Sequence, residues 1–365
     1  MSDYNKKIEE LEEELKKTKY NKATQHHIGL IKAKIAKLKT EGEKKQGKKG
    51  TKEGYSIRKT GNATVSIIGF PSVGKSSLLN KLTNKESKIG DYDFTTLNVI
   101  PGVMEYNGIK IQMLDLPGVI EGASEGKGRG KEIMSVLRTS DLILIIIDAL
   151  KPEQYEIIKK ELYGVNIRIN RKKPRIKIIK KIRGGINISF LKKQKNIDKK
   201  TIEEVLKEYK YNNADVVIKE EINVDDLIDF LEGNRVYINA LKILNKTDLV
   251  KNEEKIKNIM KKYNLNIAIS AKDNINIREL KESIWNSLDL IRIYMKEPGK
   301  DADKEKPLIL KKNSTIKDAC EKIHNELINK FRFARATGKS TKFPNQKLGP
   351  DHVLKDEDVL ELHLD

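Results

Sequence analysis

The chain holds 365 residues, enough for two or three domains that each bury a core of their own. Lys and Arg number 73 against 53 Asp and Glu, a net charge of +20. That surplus favours anionic partners, nucleic acid and ribosomes foremost, unless it reflects compositional bias alone, which the distribution of charge decides. A single cysteine, Cys320, excludes an intramolecular disulfide and suits a reducing, cytoplasmic setting. The longest apolar run, Leu142 to Ile147, is too short to span a bilayer, and the charged start, Met1 to Glu14, has no apolar leader core. A soluble protein without a membrane anchor is expected.

Residues 1–60 read as a helical hairpin followed by a basic linker. Ile8, Leu11 and Leu15, then Ile28, Ile31, Ile35 and Leu38, recur at helical spacing. The polar Thr18 to Thr24 supplies the turn, and Gln46 to Gly54 the Lys/Gly linker. Docking on a neighbouring domain explains such a hairpin better than DNA reading does. His26 and His27 are adjacent, so they cannot share a helix face, and no Cys or third His lies nearby at ligand spacing; a metal site is not expected there.

From Ala63 the pattern changes to short apolar strands: Thr64 to Ile68, Ile109 to Leu114, Leu142 to Ile147, Ala240 to Leu244 and Asn266 to Ile269. Glycine-rich loops and helical stretches such as Ser76 to Leu82 and Ile277 to Leu288 separate them. This alternation predicts an α/β fold, a mostly parallel sheet covered by helices, over 61–290. A different unit occupies 291–365, with a strand-like pair, one helix and short strands ending in Asp358 to Leu364. In its helix Ile316, Ala319, Cys320, Ile323 and Leu327 form one apolar stripe, capped by Ser314 or Thr315, which places Cys320 in a core.

Gly69-Phe-Pro-Ser-Val-Gly74-Lys75-Ser76 fits the phosphate-loop pattern and sits where that pattern needs to be, after an apolar strand and before a helix. Backbone N–H groups of such a loop converge on phosphate, Lys75 neutralises the β- and γ-phosphates, and the Ser76 hydroxyl can reach magnesium. Gly69, Pro71, Ser72, Val73, Gly74, Lys75, Ser76 and Ser77 are the expected cradle. Asp115-Leu-Pro-Gly118 closes another strand, where Asp115 can hold magnesium through water and Gly118 can sense the γ-phosphate. Between them, in Phe94-Thr95-Thr96-Leu97, either threonine could complete the magnesium shell on chemistry alone. Asn245-Lys246-Thr247-Asp248 ends a further strand; a carboxylate there accepts two hydrogen bonds from guanine N1 and N2, which adenine cannot offer, so GTP rather than ATP is expected. Ser270-Ala271-Lys272 would add a backbone N–H to guanine O6. Val119 stands where Ras-like proteins place the glutamine that orients the attacking water, so hydrolysis should be slow alone or use a partner, an ion or backbone groups. Gly122, Gly126, Gly128 and Gly130 follow and read as a switch segment.

These stretches, with Asp-Leu-Pro-Gly-Val-Ile-Glu-Gly-Ala-Ser-Glu-Gly-Lys-Gly from Asp115, resemble the Obg superfamily of GTPases, and within it the developmentally regulated GTP-binding protein family. Asn212-Asn213-Ala214-Asp215 and Phe230 to Tyr237 add to the likeness, which covers almost the whole chain. The resemblance implies a helical amino-terminal region, a GTPase domain interrupted by a small α/β insert, and a β-grasp, ubiquitin-like TGS domain that contacts RNA. It also implies magnesium, Thr96 rather than Thr95 as the switch threonine, catalytic roles for Lys75, Thr96 and Gly118, and translation as the setting. A regulatory protein partner is compatible with it. Many potassium-activated relatives carry Asn where this chain has Ser72, so the resemblance leaves potassium open. The competing reading is an RNA- or protein-binding module that uses GTP mainly as a structural ligand; an ATP-using metabolic kinase is disfavoured by Asn245 to Asp248.

Spacing argues for the insert independently. Asp115 and Asn245 stand 130 positions apart, more than one strand, helix and strand require, and the excess falls in 163–234. Residues 159–200 carry 16 Lys or Arg against 2 Asp or Glu, whereas 201–235 are acidic and helical. Such density points the insert, with Arg171-Lys-Lys-Pro-Arg175 at its centre, toward RNA phosphates. Residues 301–365 hold 13 basic and 12 acidic side chains, so RNA contact there rests on the resemblance.

Overall fold

The computed structural model describes residues 3–19, 21, 24–47, 61–83, 100–116 and 130–364. The first elements are α1 (Asp3–Lys17), α2 (Gln25–Gly47), β1 (Ala63–Gly69), α3 (Lys75–Leu82), β2 (Ile100–Tyr106) and β3 (Ile109–Asp115). Next come α4 (Gly130–Thr139), β4 (Leu142–Asp148), α5 (Gln154–Gly164), β5 (Ile167–Ile169), β6 (Ile176–Lys180), β7 (Ile186–Phe190), α6 (Lys199–Glu208), β8 (Ala214–Ile218) and α7 (Val224–Glu232). The chain continues with β9 (Val236–Asn245), α8 (Glu253–Lys262), β10 (Ile267–Ala268), α9 (Ile277–Ser287) and β11 (Leu290–Lys296). It ends with β12 (Leu308–Lys311), α10 (Ile316–Ile323), β13 (Phe331–Thr337), β14 (Gln346–Leu348) and β15 (Asp358–Leu364). They fall into two compact units, one drawn from Met1–Gly54 with Asn166–Tyr237, the other from Tyr55–Val165 with Ile238–Asp365.

In the first unit the hairpin of α1 and α2 belongs with the insert. Asn21 and Thr24 exchange backbone-to-side-chain hydrogen bonds of 2.8 and 3.0 Å, which fixes the entry to α2. The second helix packs on α6 and α7: Ala33 is fully buried among Ile202, Val205, Leu206, Leu227 and Ile228. Lys32 to Asp225 and Lys37 to Glu208, both at 3.0 Å, rim that contact. His26 pairs with Glu204 and His27 with Glu14. A three-stranded sheet in the order β6-β8-β7 completes the unit, β6 antiparallel and β7 parallel to β8. Its chain entry and exit are clasped by the buried Arg168, which donates to both Asp229 oxygens at 2.5 and 2.7 Å, while Arg235 donates to the same carboxylate at 2.7 Å.

The second unit is built on a sheet ordered β10-β9-β4-β1-β3-β2, parallel except for the antiparallel β2. Both β1 and β4 are buried at every position, as expected of central strands covered on two faces. Beside it a five-stranded sheet, β12-β11-β15-β13-β14, packs on α10. Thr315, rather than Ser314, caps α10, in a capping box with Asp318. Ile316, Ala319 and Cys320 are fully buried there, but Ile323 is 43% exposed, contrary to the expected stripe. The helix stops at Ile323 because His324 turns extended (φ −163°), so Leu327 reaches the core from a separate 3-10 turn, Asn325–Ile328. The protein is thus an α/β P-loop domain with helical amino-terminal region, α/β insert and carboxy-terminal β-grasp sheet. Among the described residues, no helix is long and apolar enough to cross a membrane.

Candidate functional site

The carboxyl ends of the parallel strands gather those of the expected residues that the structure describes, as open α/β sheets do at their ligand crevice. β1 ends in Gly69 and feeds the loop to α3. At that helix's entry Gly74 has φ 94°, and an added Cβ would lie 2.5 Å from Asn245 Nδ2, so a side chain is excluded by conformation and by space alike. Ser72 also takes a left-handed conformation (φ 62°). Pro71, Ser76 and Ser77 are exposed or partly so, whereas Val73 is buried beneath the loop. Lys75 Nζ lies back over the loop, donating to the carbonyls of Gly69 and Phe70 at 3.3 and 3.2 Å. Burial lowers its pKa, with Asp115 opposing.

Asp115, the last residue of β3 and only 4% exposed, accepts a 2.8 Å hydrogen bond from Ser76 Oγ through Oδ2. Its other oxygen, Oδ1, is buried and has no hydrogen-bond partner among the described residues. Burial raises the Asp115 pKa, against the pull of Ser76 and Lys75. A serine hydroxyl beside an orphaned carboxylate oxygen is a hard-oxygen donor set that fits a divalent cation. The raised pKa has a defined sign: charging Asp115 costs stability above that pKa, and the cost is relieved as pH falls below it. Asp115→Asn should therefore leave the ligand-free melting temperature unchanged or slightly raised, while removing the extra stabilisation expected of magnesium with GDP in the parent. The ligand-free parent should also gain on the variant as pH falls from Asp115's raised pKa toward the ordinary carboxylate value. Thermal unfolding with and without magnesium and GDP checks both, and equal stabilisation of parent and variant would remove Asp115 from the cation site.

A second cluster forms where β9 and β10 end. Asn245, 2% exposed, donates through Nδ2 to the Val73 carbonyl at 2.9 Å and accepts from the Ala271 N–H at 3.0 Å. It therefore stitches the phosphate loop to the Ser270-Ala271-Lys272 loop. Asp248 Oδ1 accepts from Ser270 Oγ at 2.7 Å, and Ser270 Oγ accepts from the Asp273 N–H at 3.0 Å. Lys272 is exposed beside them. Thr96 and Gly118, with Thr95 and Val119, lie outside the described residues.

The geometry adds one residue that sequence reasoning missed. Asp148 ends β4, next to β9, and its Oδ2 lies 2.7 Å from Lys246 Nζ while Oδ1 accepts from the Leu150 N–H at 2.8 Å. Lys246 itself has φ 65°, so the ion pair holds a side chain that leaves the strand on a left-handed residue. The available signal was a carboxylate closing an all-apolar strand, as Asp115 closes β3, in register with Asn245. Asp148→Asn weakens a partly exposed pair, so nucleotide affinity should fall by about 1 kcal/mol, roughly fivefold. Equilibrium titration with a fluorescent guanine nucleotide reads this; an unchanged affinity would mean that Lys246 needs no anchor.

A phosphate loop after β1, an aspartate closing β3 and a base-side loop tied to it through Asn245, on this strand order, define the P-loop GTPase class. Family models match accordingly: "50S ribosome-binding GTPase" over 64–181, "C-terminal region of MMR_HSR1 domain" over 183–290 and "TGS domain" over 291–364. Developmentally-regulated GTP-binding protein 1 of Xenopus laevis is 46% identical over 360 residues, covering 98% of each chain. An uncharacterized GTP-binding protein of Methanocaldococcus jannaschii is 48% identical over 361 residues, covering 97% of this chain and 91% of that one. Among solved structures, the YchF GTPase of Schizosaccharomyces pombe overlaps only loosely, with TM-score 0.46 and 12% identity over 84% of this chain and 99% of that one. The chain belongs to the developmentally regulated GTP-binding protein family, GTPases of the Obg superfamily that carry a TGS domain.

Proposed function

We propose that this protein binds GTP with magnesium, hydrolyses it to GDP and phosphate, and acts as a switch on ribosomes or RNA in translation. The observation that carries this reading is Asn245, one buried side chain that bonds both to the phosphate loop and to the base-side loop, so that triphosphate and guanine ends of one nucleotide are gripped by a single framework. In it Asp248 and the Lys272 backbone face guanine, with Ser270 holding the Asp248 carboxylate and the Ala271 N–H bonded to Asn245. Lys75 and the loop from Gly69 to Ser77 take the phosphates. Ser76 and Asp115, with Thr96 in the triphosphate state, would hold magnesium, which supplies neutralisation of developing phosphate charge. The Val119 side chain has no group able to orient water, so turnover is slow until a partner, an ion or backbone groups complete the site. The family description "50S ribosome-binding GTPase" and the basic insert support a ribosomal or RNA partner.

Phosphate release from GTP, measured in single turnover with magnesium, with and without ribosomes, tests the reading. Slow release that ribosomes accelerate is expected. Equal rates in both conditions would instead favour a binding module that holds GTP as a structural ligand, the reading to which the valine also lends itself.

A further inference from the structure

Between Leu162 and Ile197 the chain contains no Asp or Glu, yet its basic side chains do not all stand free. Arg168 is buried against Asp229. Arg175 is held by Glu220 at 3.1 Å, and Arg171 lies 3.7 Å from Asp226. The segment Arg171 to Arg175, the centre of the basic run in the sequence, is therefore half committed to contacts within its own unit.

The sheet β6-β8-β7 distributes the remaining charge by strand alternation. Ile176, Ala214, Val216 and Ile218 point into the core with Ile178, Ile186 and Ile188. Their alternates, Lys177 and Ile179 on β6, Val217 on β8, and Asn187 and Ser189 on β7, occupy the other face, in register across the three strands. Lys219, bonded to Arg175 through its backbone, extends that face at one end, and Leu191, Lys192 and Lys193 border it. Ile179 is 48% and Leu191 68% exposed. The acid on this face, Asp215, is occupied by Lys181 at 2.5 Å and Asn187 at 3.2 Å. Among the described residues, no acid pairs with Lys177, Lys192, Lys193 or Lys219.

We infer that this outer sheet face is an RNA-docking surface, with Lys177, Lys192, Lys193 and Lys219 taking phosphates and the Ser189 hydroxyl facing a ribose. The inference rests on the proposed RNA association and locates it on the fold. Charge selects the occupant: free cations surround a face whose acid is already neutralised, so a polyanion gains contacts without displacing an internal pair. A flat strand surface with exposed aliphatic groups suits the sugar side of a backbone, where a hydroxyl can also meet a 2′-OH. Readout is then by phosphate and shape, with weak sequence preference.

The test uses the full chain and two quadruple variants, titrated with poly(U) and with ribosomal RNA across a salt series. One carries Gln at positions 177, 192, 193 and 219; the other carries Gln at positions 171, 172, 173 and 175. For single strands the slope of log affinity against log salt flattens by about 0.7 for each phosphate no longer neutralised, so the face variant should drop by roughly 3 slope units. The flanking variant, with two uncommitted lysines, should drop by no more than about 1.4. GTP affinity should stay the same in both, which also reports folding. A drop confined to the flanking variant would overturn the sheet-face assignment and leave RNA association standing. If the parent binds RNA and neither variant changes the slope, both this face and the insert's part in RNA association fail. Retention of RNA-free ribosomal protein, abolished in the face variant while RNA binding persists, would make the surface a protein-docking site and overturn the inference.

Discussion

Asp248→Asn is expected to weaken GTP binding by roughly 1.5 to 3 kcal/mol, about tenfold to more than a hundredfold, and to shift preference toward xanthosine triphosphate. The carboxylate sits on the turn that closes β9, with one oxygen fixed by Ser270 Oγ at 2.7 Å, so it is oriented before a base arrives. Guanine offers two donors to such an acceptor; an amide replaces part of the acceptor with a donor and reverses the match, which xanthine then satisfies. Competition of GTP and xanthosine triphosphate against a fluorescent guanine nucleotide reads both halves of the prediction. An unaltered GTP affinity in the variant would move base selection elsewhere.

Asn245→Ala should act differently, through the framework rather than through base choice. It leaves the Val73 carbonyl and the Ala271 N–H without the partners they have at 2.9 and 3.0 Å, in a place where water does not reach. Each unpaired buried group costs about 1 to 3 kcal/mol, so a destabilisation on the order of 3 kcal/mol is expected. For a unit of this size that lowers the melting temperature by roughly 6 to 12 °C. GTP and GDP should lose affinity together, because both the phosphate and base loops depend on the stitch, while the ratio of GTP to xanthosine triphosphate affinity stays that of the parent. A variant with parental melting temperature and nucleotide affinity would show that the loops hold their positions without Asn245.

The contrast between these residues also shows what the sequence could reveal. The phosphate loop, Asp115 and the Asn245-to-Asp248 turn were legible because each is a short pattern closing an apolar strand, and local order along the chain sets their geometry. The same patterns placed Asn245 with the base, yet its hydrogen bond to Val73 joins positions 172 residues apart and has no local signature. Asp148 escaped for that reason, since its partner Lys246 lies 98 residues away. Strand order brings such pairs together, and strand order is fixed by packing rather than by any one segment.

The insert shows the same limit at larger scale. Its basic and acidic halves were evident from composition, but Arg168, Arg171 and Arg175 count as surface cations in a tally and as partners of Asp229, Asp226 and Glu220 in the fold. Periodicity failed at Ile323, where the stripe assumed a helix continuing to Leu327. The extended His324 ends that helix, so the residues beyond it answer to a different geometry.

That one site grips guanine and triphosphate together is tested most directly by nucleotide competition with the full chain in magnesium. GTP and GDP should displace a bound fluorescent guanine nucleotide, whereas ATP should fail to do so even at roughly a hundredfold higher concentration, about 2.7 kcal/mol of discrimination. Displacement by ATP at concentrations equal to those of GTP would contradict a guanine-selective site.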